Sequence, residues 1–451
     1  MKIQRISEFQ HKFSFLSSSE TLELYYARFL ESDLGKIYLA IPWESLVERF
    51  SIKENTLGSK MMFSPRGRLA LMFLKHYACC SDRKLIEQLN SNIDYQLFCD
   101  IHLGFTRLTN FKIVSQIRCE LATDFNIDLL EKDLYSHWKN HLASQSQITV
   151  DATCYESELR YPTDQKLLWE SVHWLYKQLK TTCELLGIKM IRTKYLKWKK
   201  RYLGYSKMRR KTNKNRRPLT RALLHLLNKL IGFEKGLRNS HKIEFKISYY
   251  RRVAILKKIY RQQQSYFDTG ISPKNRIVSI AKDYLRPIVR GKEVKSVEFG
   301  AKVNKLQIDG INFIEHLSFD AFNEGTRFKN TIFKAQSLTK IKAKIVGADA
   351  IYATNKNRNF VTKNKIKTDF KFKGKLPKNH KDQKKLKAII SKERSTKLEG
   401  SFGKEKEHYY LKKIKAKTKA TEKLWIFFGI HTANALEIGR RIQSSQTLIA
   451  A

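Results

Sequence analysis

Apolar positions in the first third of the chain recur every three to four residues. The runs RLALMFLKHYACC (68–80), DRKLIEQLNS (82–91) and LTNFKIVSQIRCELATDF (108–125) each put an apolar stripe on one side of a 3.6-residue turn and predict helices. Ser81, just ahead of the second run, is a predicted N-cap, because its hydroxyl can accept from an open backbone N–H of the first turn. Shorter amphipathic helices are predicted around LELYYARFLESDLG (22–35), and KENTLGSK (53–60) reads as a linker. The period changes at QITVDAT (147–153), a β-branched run that predicts a strand. Strand signals resume near 296–320, where two runs flank the turn pair Asp309–Gly310, and again at AKIVGAD (343–349). Between them, 165–292 is helical and charged, as in RALLHLLNKLIGFEKGL (221–237) and YYRRVAILKKIYRQQQ (249–264). KTDFKFKGKLPKNH (367–380) predicts a short strand and loop. LWIFFGIHTANAL (424–436) predicts a core helix, since a membrane span needs about 20 apolar residues.

These patterns divide the chain into an all-α N-terminal domain (1–142), an α/β domain in two pieces (143–164 and 293–440), a helical insertion within it (165–292) and a C-terminal tail (441–451). No helix-turn-helix signature is evident in the first domain, whose size suits contact with DNA ends or with a second copy.

Charge narrows the class of partner. With 88 Lys and Arg against 42 Asp and Glu, the formal net charge is +46, an excess that favours a polyanion over a small metabolite. The excess is concentrated. Lys189–Arg217 carries 14 basic residues in 29 and no acid, with Tyr195, Trp198, Tyr202 and Tyr205 interleaved; Lys356–Lys387 carries 13, with only Asp369 and Asp382 opposed. The basic side chains predict phosphate contacts. The aromatics read two ways, as stacking platforms for exposed bases or as helix core. Six cysteines without a C-x-x-C pair exclude a zinc framework or disulfide scaffold and predict reduced thiols. No signal-peptide run opens the sequence, and the expected setting is cytoplasmic, at the nucleoid.

Three acids stand in distinctive settings. Asp151 and Asp349 close strand-like runs, and Glu399 opens EGSFGKEK in a helix-like stretch. Carboxylates from two strands and a helix can converge on a pair of divalent ions that drive in-line attack on a phosphodiester. Mg²⁺ suits such oxygen ligands, and Mn²⁺ is the expected substitute. On helical spacing Lys392, Ser395, Glu399, Phe402 and Lys406 share a face. Asp320, after the strand ending in SF, is the rival to Asp349, whereas Asp164 and Asp309 suit turns.

The words around these acids resemble the DDE transposases of bacterial insertion sequences. The resemblance runs through DATCYESELRYPTDQKLL (151–168), VEFGAKVNKL (297–306), SFDAFNEG (318–325), GADAIYATNKNRNF (347–360) and RSTKLEGSFGKEKEHYYLKKIKA (394–416), and through SPRGRLALMFLKHYACCSDRKLIEQLNSNIDYQLFCDI (64–101) in the helical part. It implies an RNase H-like mixed-sheet catalytic domain with a large helical insertion, and Asp151, Asp349 and Glu399 as catalytic metal ligands. It also implies binding of double-stranded DNA (transposon ends and target), a homodimer in the active complex, and neither membrane nor small-molecule substrate. Arg160, Arg394 and Lys406 are the expected phosphate contacts of the catalytic domain; Lys199, Lys200, Arg209 and Arg210 are those of the insertion. Two departures stand out. Ala350 and Ile351 follow the second Asp where many relatives carry Arg-Gly. A related signature puts Tyr and Arg seven and four positions before the Glu, where this chain has Lys392 and Ser395, with Arg394 one step off; the Lys seven positions after the Glu is kept as Lys406. A catalytically inactive descendant that only binds DNA, and a structural basic nucleic-acid-binding protein, are the alternatives.

Overall fold

The computed structural model describes residues 18–54, 61–289, 297–374 and 380–450; part of the linker expected at 53–60 and the boundary at 293 lie outside them. A mixed sheet is surrounded by helices. Its strands are β1 (Gln147–Ser157), β2 (Pro287–Val289), β3 (Val297–Ile308), β4 (Ile311–Ser318), β5 (Ile345–Ala348), β6 (Lys367–Thr368) and β7 (Lys413–Ile414). β1 is the hinge of the topology: β3 runs antiparallel on one side of it, β5 parallel on the other, and β6 lies parallel beyond β5. β4 and β2 pair antiparallel with different parts of β3, and β7 pairs parallel with the far end of β1. Asp309 and Gly310 both have positive φ, 46° and 83°, so β3 turns into β4 through the two-residue hairpin its sequence predicts.

The N-terminal segment forms the expected helices, including Pro65–Tyr77, Asp82–Ser91 and Lys112–Leu121, and the Ser81 hydroxyl accepts from the Lys84 N–H at 3.2 Å. These helices have no core of their own. Phe29, Phe73 and Trp138 belong to one apolar cluster with Ile148, Val150 and Leu306 of the sheet and Phe427 and Phe428 of the last helix. Phe73 meets Phe428 edge to face at 4.8 Å, and buried Glu131 accepts the backbone N–H of Ile314 on β4 at 2.6 Å. The boundary expected at 142 is therefore crossed by continuous packing. The last helix, Lys419–Ala450, also runs through position 441, where a tail was expected. At Gly439 a Cβ would lie 2.2 Å from the Lys36 carbonyl oxygen, so glycine lets this helix touch the Asp33–Leu39 helix backbone to backbone.

Residues 164–280 pack separately. Helices Asp164–Leu185, Tyr195–Lys207, Asn213–His241 and Ile247–Thr269 enclose a second cluster around Leu168, Leu175, Leu227 and Leu256. Among the described residues no helix is long and apolar enough to cross a membrane.

Candidate active site

β1 alternates between its two faces. Ile148, Val150 and the buried Cys154 turn to apolar surroundings, whereas Thr149, Asp151, Thr153, Tyr155 and Ser157 share the other face. That face meets the helix Gly400–His408 and the last helix. Lys406 Nζ donates to Thr153 Oγ1 at 3.0 Å, the Tyr155 hydroxyl donates to Glu405, and Ser157 Oγ donates to Glu422 at 2.6 Å. Asp151 is thus not at a strand end, as expected, but fifth in an 11-residue strand that continues past it.

Register sets the second acid beside the first. Val150 pairs with Ala348 across parallel β1 and β5; Asp151 follows Val150 within β1, and Asp349 follows Ala348 just past the end of β5. Neighbouring strands lie about 4.8 Å apart. Each carboxylate accepts its own following N–H: Ala152 N at 2.7 Å from Asp151 Oδ1, Ala350 N at 2.6 Å from Asp349 Oδ1. Burial pushes the Asp151 carboxyl up to about 6. The Ala152 N–H and Arg394 oppose that rise, while the like charges of Glu324 and Asp349 add to it.

Glu399 arrives by an unusual route. After the helix His380–Glu393 the chain makes one π-helical turn, Arg394–Glu399, before α geometry resumes at Gly400. An i→i+5 turn holds one residue more than an α turn. Arg394, five positions before Glu399, therefore takes the facing position that a residue four before would hold on an α-helix. Its Nη1 lies 2.7 Å from Glu399 Oε1 and 3.6 Å from Asp151 Oδ2. The shared face expected for Ser395 and Glu399 is corrected accordingly: Ser395 is exposed and bonds back to the Lys392 carbonyl. The one-step offset in the sequence is absorbed by the helix.

A fourth carboxylate, unassigned from sequence, joins them. Asp369 follows β6, so Asp151, Asp349 and Asp369 lie on or just beyond three adjacent parallel strands. Asp369 Oδ1 accepts from Ala348 N at 2.9 Å, and Oδ2 lies 3.7 Å from Arg394 Nε, a buried N–H without a hydrogen-bond partner. Burial raises the Asp369 pKa above the ordinary range, against the Ala348 N–H and Arg394. Its signal in the sequence was slight: an aspartate near the start of KTDFKFKGKLPKNH (367–380), the word that predicts a short strand and loop. Glu324, ion-paired to Lys302 at 2.7 Å, had no such signal. Asp320, the rival to Asp349, is exposed and 3.8 Å from Arg286.

The acidic centre is therefore Asp151, Asp349, Asp369 and Glu399, with Arg394 bridging three of the four. Among the described residues, no three acidic, histidine or cysteine side chains are grouped closely enough to hold a metal ion. The donors are nonetheless all carboxylate oxygens, and half-buried Asp151 is incompletely compensated, which suits a hard divalent cation once Arg394 Nη1 moves aside.

The other expected contacts are dispersed. Arg160 is exposed on the loop after β1, and Lys199, Lys200, Arg209 and Arg210 are exposed on and just beyond the helix Tyr195–Lys207. The interleaved aromatics resolve as core. Tyr195 stacks on Tyr176 at 3.8 Å and on Trp169 at 5.4 Å, Tyr202 stacks on Trp169, and Tyr205 is buried.

Two family models match the chain. Residues 346–431 match a transposase DDE domain, a stretch that contains Asp349, Asp369, Arg394 and Glu399 and begins downstream of Asp151. Residues 25–119 match the Transposase domain (DUF772), which covers most of the N-terminal helices. No curated protein and no solved structure matches the chain.

Proposed function

We propose that this chain, matched by transposase models over 25–119 and 346–431, is an insertion-sequence transposase of the DDE type that binds the ends of its own element. There it cleaves and transfers DNA strands at the centre formed by Asp151, Asp349 and Glu399. The observation that carries this reading is convergence: Arg394 bonds Glu399 and pairs with Asp151, while Asp349 directly follows Ala348, the strand partner of Val150. The strand arrangement β4-β3-β1-β5-β6, antiparallel on one side of β1 and parallel on the other, supports an RNase H-like catalytic fold.

Asp151, Asp349 and Glu399 would hold the divalent cations, Mg²⁺ with Mn²⁺ as a substitute. Bound there, they supply the charge that makes a nucleophile of water, then of a 3′-hydroxyl, and that offsets charge on the leaving oxygen. The protein's own groups do the rest. Asp369 anchors the guanidinium of Arg394, whose Nη1 can then exchange carboxylate for DNA phosphate. Lys406, tethered to Thr153 two residues past Asp151, sits where it can meet the strand being cut. Arg160 meets phosphate from the loop after β1, and the insertion's Lys199, Lys200, Arg209 and Arg210 hold the flanking duplex. The insertion, whose helices between 164 and 280 pack around their own apolar cluster, acts as a DNA-holding domain and the N-terminal helices as an end- or dimer-contact surface, two copies forming the active complex.

The test is strand cleavage of duplexes carrying the element's ends, with Mg²⁺ or Mn²⁺. Asp151→Asn, Asp349→Asn and Glu399→Gln should each abolish cleavage and leave DNA affinity within about twofold, since none removes a phosphate contact. Near-normal cleavage by Asp349→Asn would overturn the assignment of that residue.

A further inference from the structure

A second feature lies away from the acidic centre. The helices Asp82–Ser91 and Lys112–Leu121, the end of Pro65–Tyr77 and the segment 415–418 after β7 enclose a cleft of about 490 Å³. Its charge is one-sided. Lys75, Arg83, Lys112, Arg118, Lys415 and Lys417 line it, and Asp82 is the one acid among its lining residues.

The floor makes the imbalance costly. Lys75 and Arg118 are both buried and share Asp82, at 2.6 Å and 3.0 Å. Two buried cations on one carboxylate leave a net positive charge in a setting that solvates it poorly. Arg118 also lies 4.7 Å over the Trp425 ring and Lys75 lies 5.1 Å over Tyr410, so ring faces replace part of the missing solvent. At the rim, Lys112, Lys415 and Lys417 are exposed and make no ion pair among the described residues. A buried excess of positive charge beneath an exposed cationic rim is a receptor for an anion that stays partly in water.

We propose that this cleft is a phosphate-binding site for the backbone of duplex DNA, gripping the duplex beyond the point of cutting. The proposal rests on DNA being the substrate, but not on which carboxylates cut it. Position supports a shared duplex. β7, which leads directly into Lys415 and Lys417, pairs with Glu156–Ser157, and Glu156 is 156 − 151 = 5 residues beyond Asp151 on β1. Five strand residues span about 17 Å, roughly five base pairs of duplex. On this proposal one short segment of DNA meets both places.

The triple variant Lys112→Gln, Lys415→Gln, Lys417→Gln tests this in the full chain, because all three side chains are exposed and their replacement should leave the fold intact. Binding is measured on a labelled 30-base-pair duplex of arbitrary sequence in EDTA, across a salt series. Chemistry is off under these conditions, so failure of the catalytic assignment cannot masquerade as failure of the cleft. The slope of log affinity against log salt should flatten by roughly two to three units, about 0.9 for each phosphate that the variant no longer neutralises. The parent should then lose about 15- to 60-fold more affinity than the variant between 50 and 200 mM salt. Thermal shift with inorganic phosphate is the second arm. A slope unchanged within half a unit, with native circular dichroism, overturns the proposal. So does an unchanged slope accompanied by phosphate stabilisation that the variant loses, which would mark a small-anion site.

Discussion

Lys305 and Glu405 form an ion pair with both side chains essentially out of solvent, between β3 and the helix Gly400–His408. The Tyr155 hydroxyl and Asn312 Nδ2, the latter at 2.9 Å, also donate to Glu405. Burial lowers the Lys305 pKa and Glu405 raises it, with burial the larger effect. Lys305→Met would leave the Glu405 charge with two neutral donors in a site that cannot hydrate it. Removing one partner of a buried pair costs about 3–5 kcal/mol, a large share of the 5–15 kcal/mol that holds a typical domain together. Glu405→Gln should cost a similar amount by stranding the ammonium. The double variant removes both charges, keeps an amide oxygen for one donor, and should be no worse than either single change. The coupling between the sites should then be at least about 2 kcal/mol. Urea unfolding followed by tryptophan fluorescence measures it. Hydrogen exchange should show Gly400–His408 opening first in the single variants, because Glu405 ties that helix to the sheet six residues after Glu399. Single variants that cost under about 1 kcal/mol, or costs that simply add, would refute the argument that this pair anchors the helix that follows Glu399.

Three further outcomes are expected. Arg394→Gln should bind Mn²⁺ severalfold more tightly by electron paramagnetic resonance, because the cation competing for Asp151 and Glu399 is gone, yet cleave DNA poorly; unchanged Mn²⁺ affinity would show that the guanidinium does not compete. Changing Lys199, Lys200, Arg209 and Arg210 to Gln should flatten the salt dependence of duplex binding by roughly two to four units, on any sequence; an unchanged slope would make that run a solvated face. Tyr195→Ala should destabilise the insertion by about 3–5 kcal/mol in a melting experiment, and below its melting transition should bind single strands as the parent does; weaker single-strand binding by the folded variant would return the ring to the DNA surface.

The sequence was informative where a local rule governs. The Asp309–Gly310 hairpin, the Ser81 cap and the strand words before Asp151 and Asp349 follow from turn chemistry, capping and β-branched runs, which act within a few residues. It was silent where the deciding contact is distant. The aromatic spacing of 195–205 suits a base-stacking surface and a helix core equally, and only Trp169 and Tyr176 on another helix decide between them. Register explains Asp369: its place beside Arg394 depends on β6 pairing with β5, a contact that no window of residues contains. The π-helical turn is of the same kind. Helical spacing alone pointed to Ser395, and an extra residue in one turn gave the position to Arg394.

The apolar cluster that joins the N-terminal helices to the sheet makes that part of the molecule a fixed ruler. Where a flexible tether connects a gripping part to a cutting part, the offset between them is a distribution, and it changes when the tether is lengthened. Here Phe73 packs against Phe428 and Gly439 against Lys36, so the described N-terminal helices are joined to the last helix by direct packing. The distance from any DNA contact on residues 25–119 to the acids on β1 and β5 is set by side-chain packing, to the tolerance of a protein interior. Exchanging the front helices between relatives would therefore require a matching exchange on the last helix; on the proposed assignment, new end sequences would have to be read by surface changes alone, with the cut staying at a constant number of base pairs from the grip.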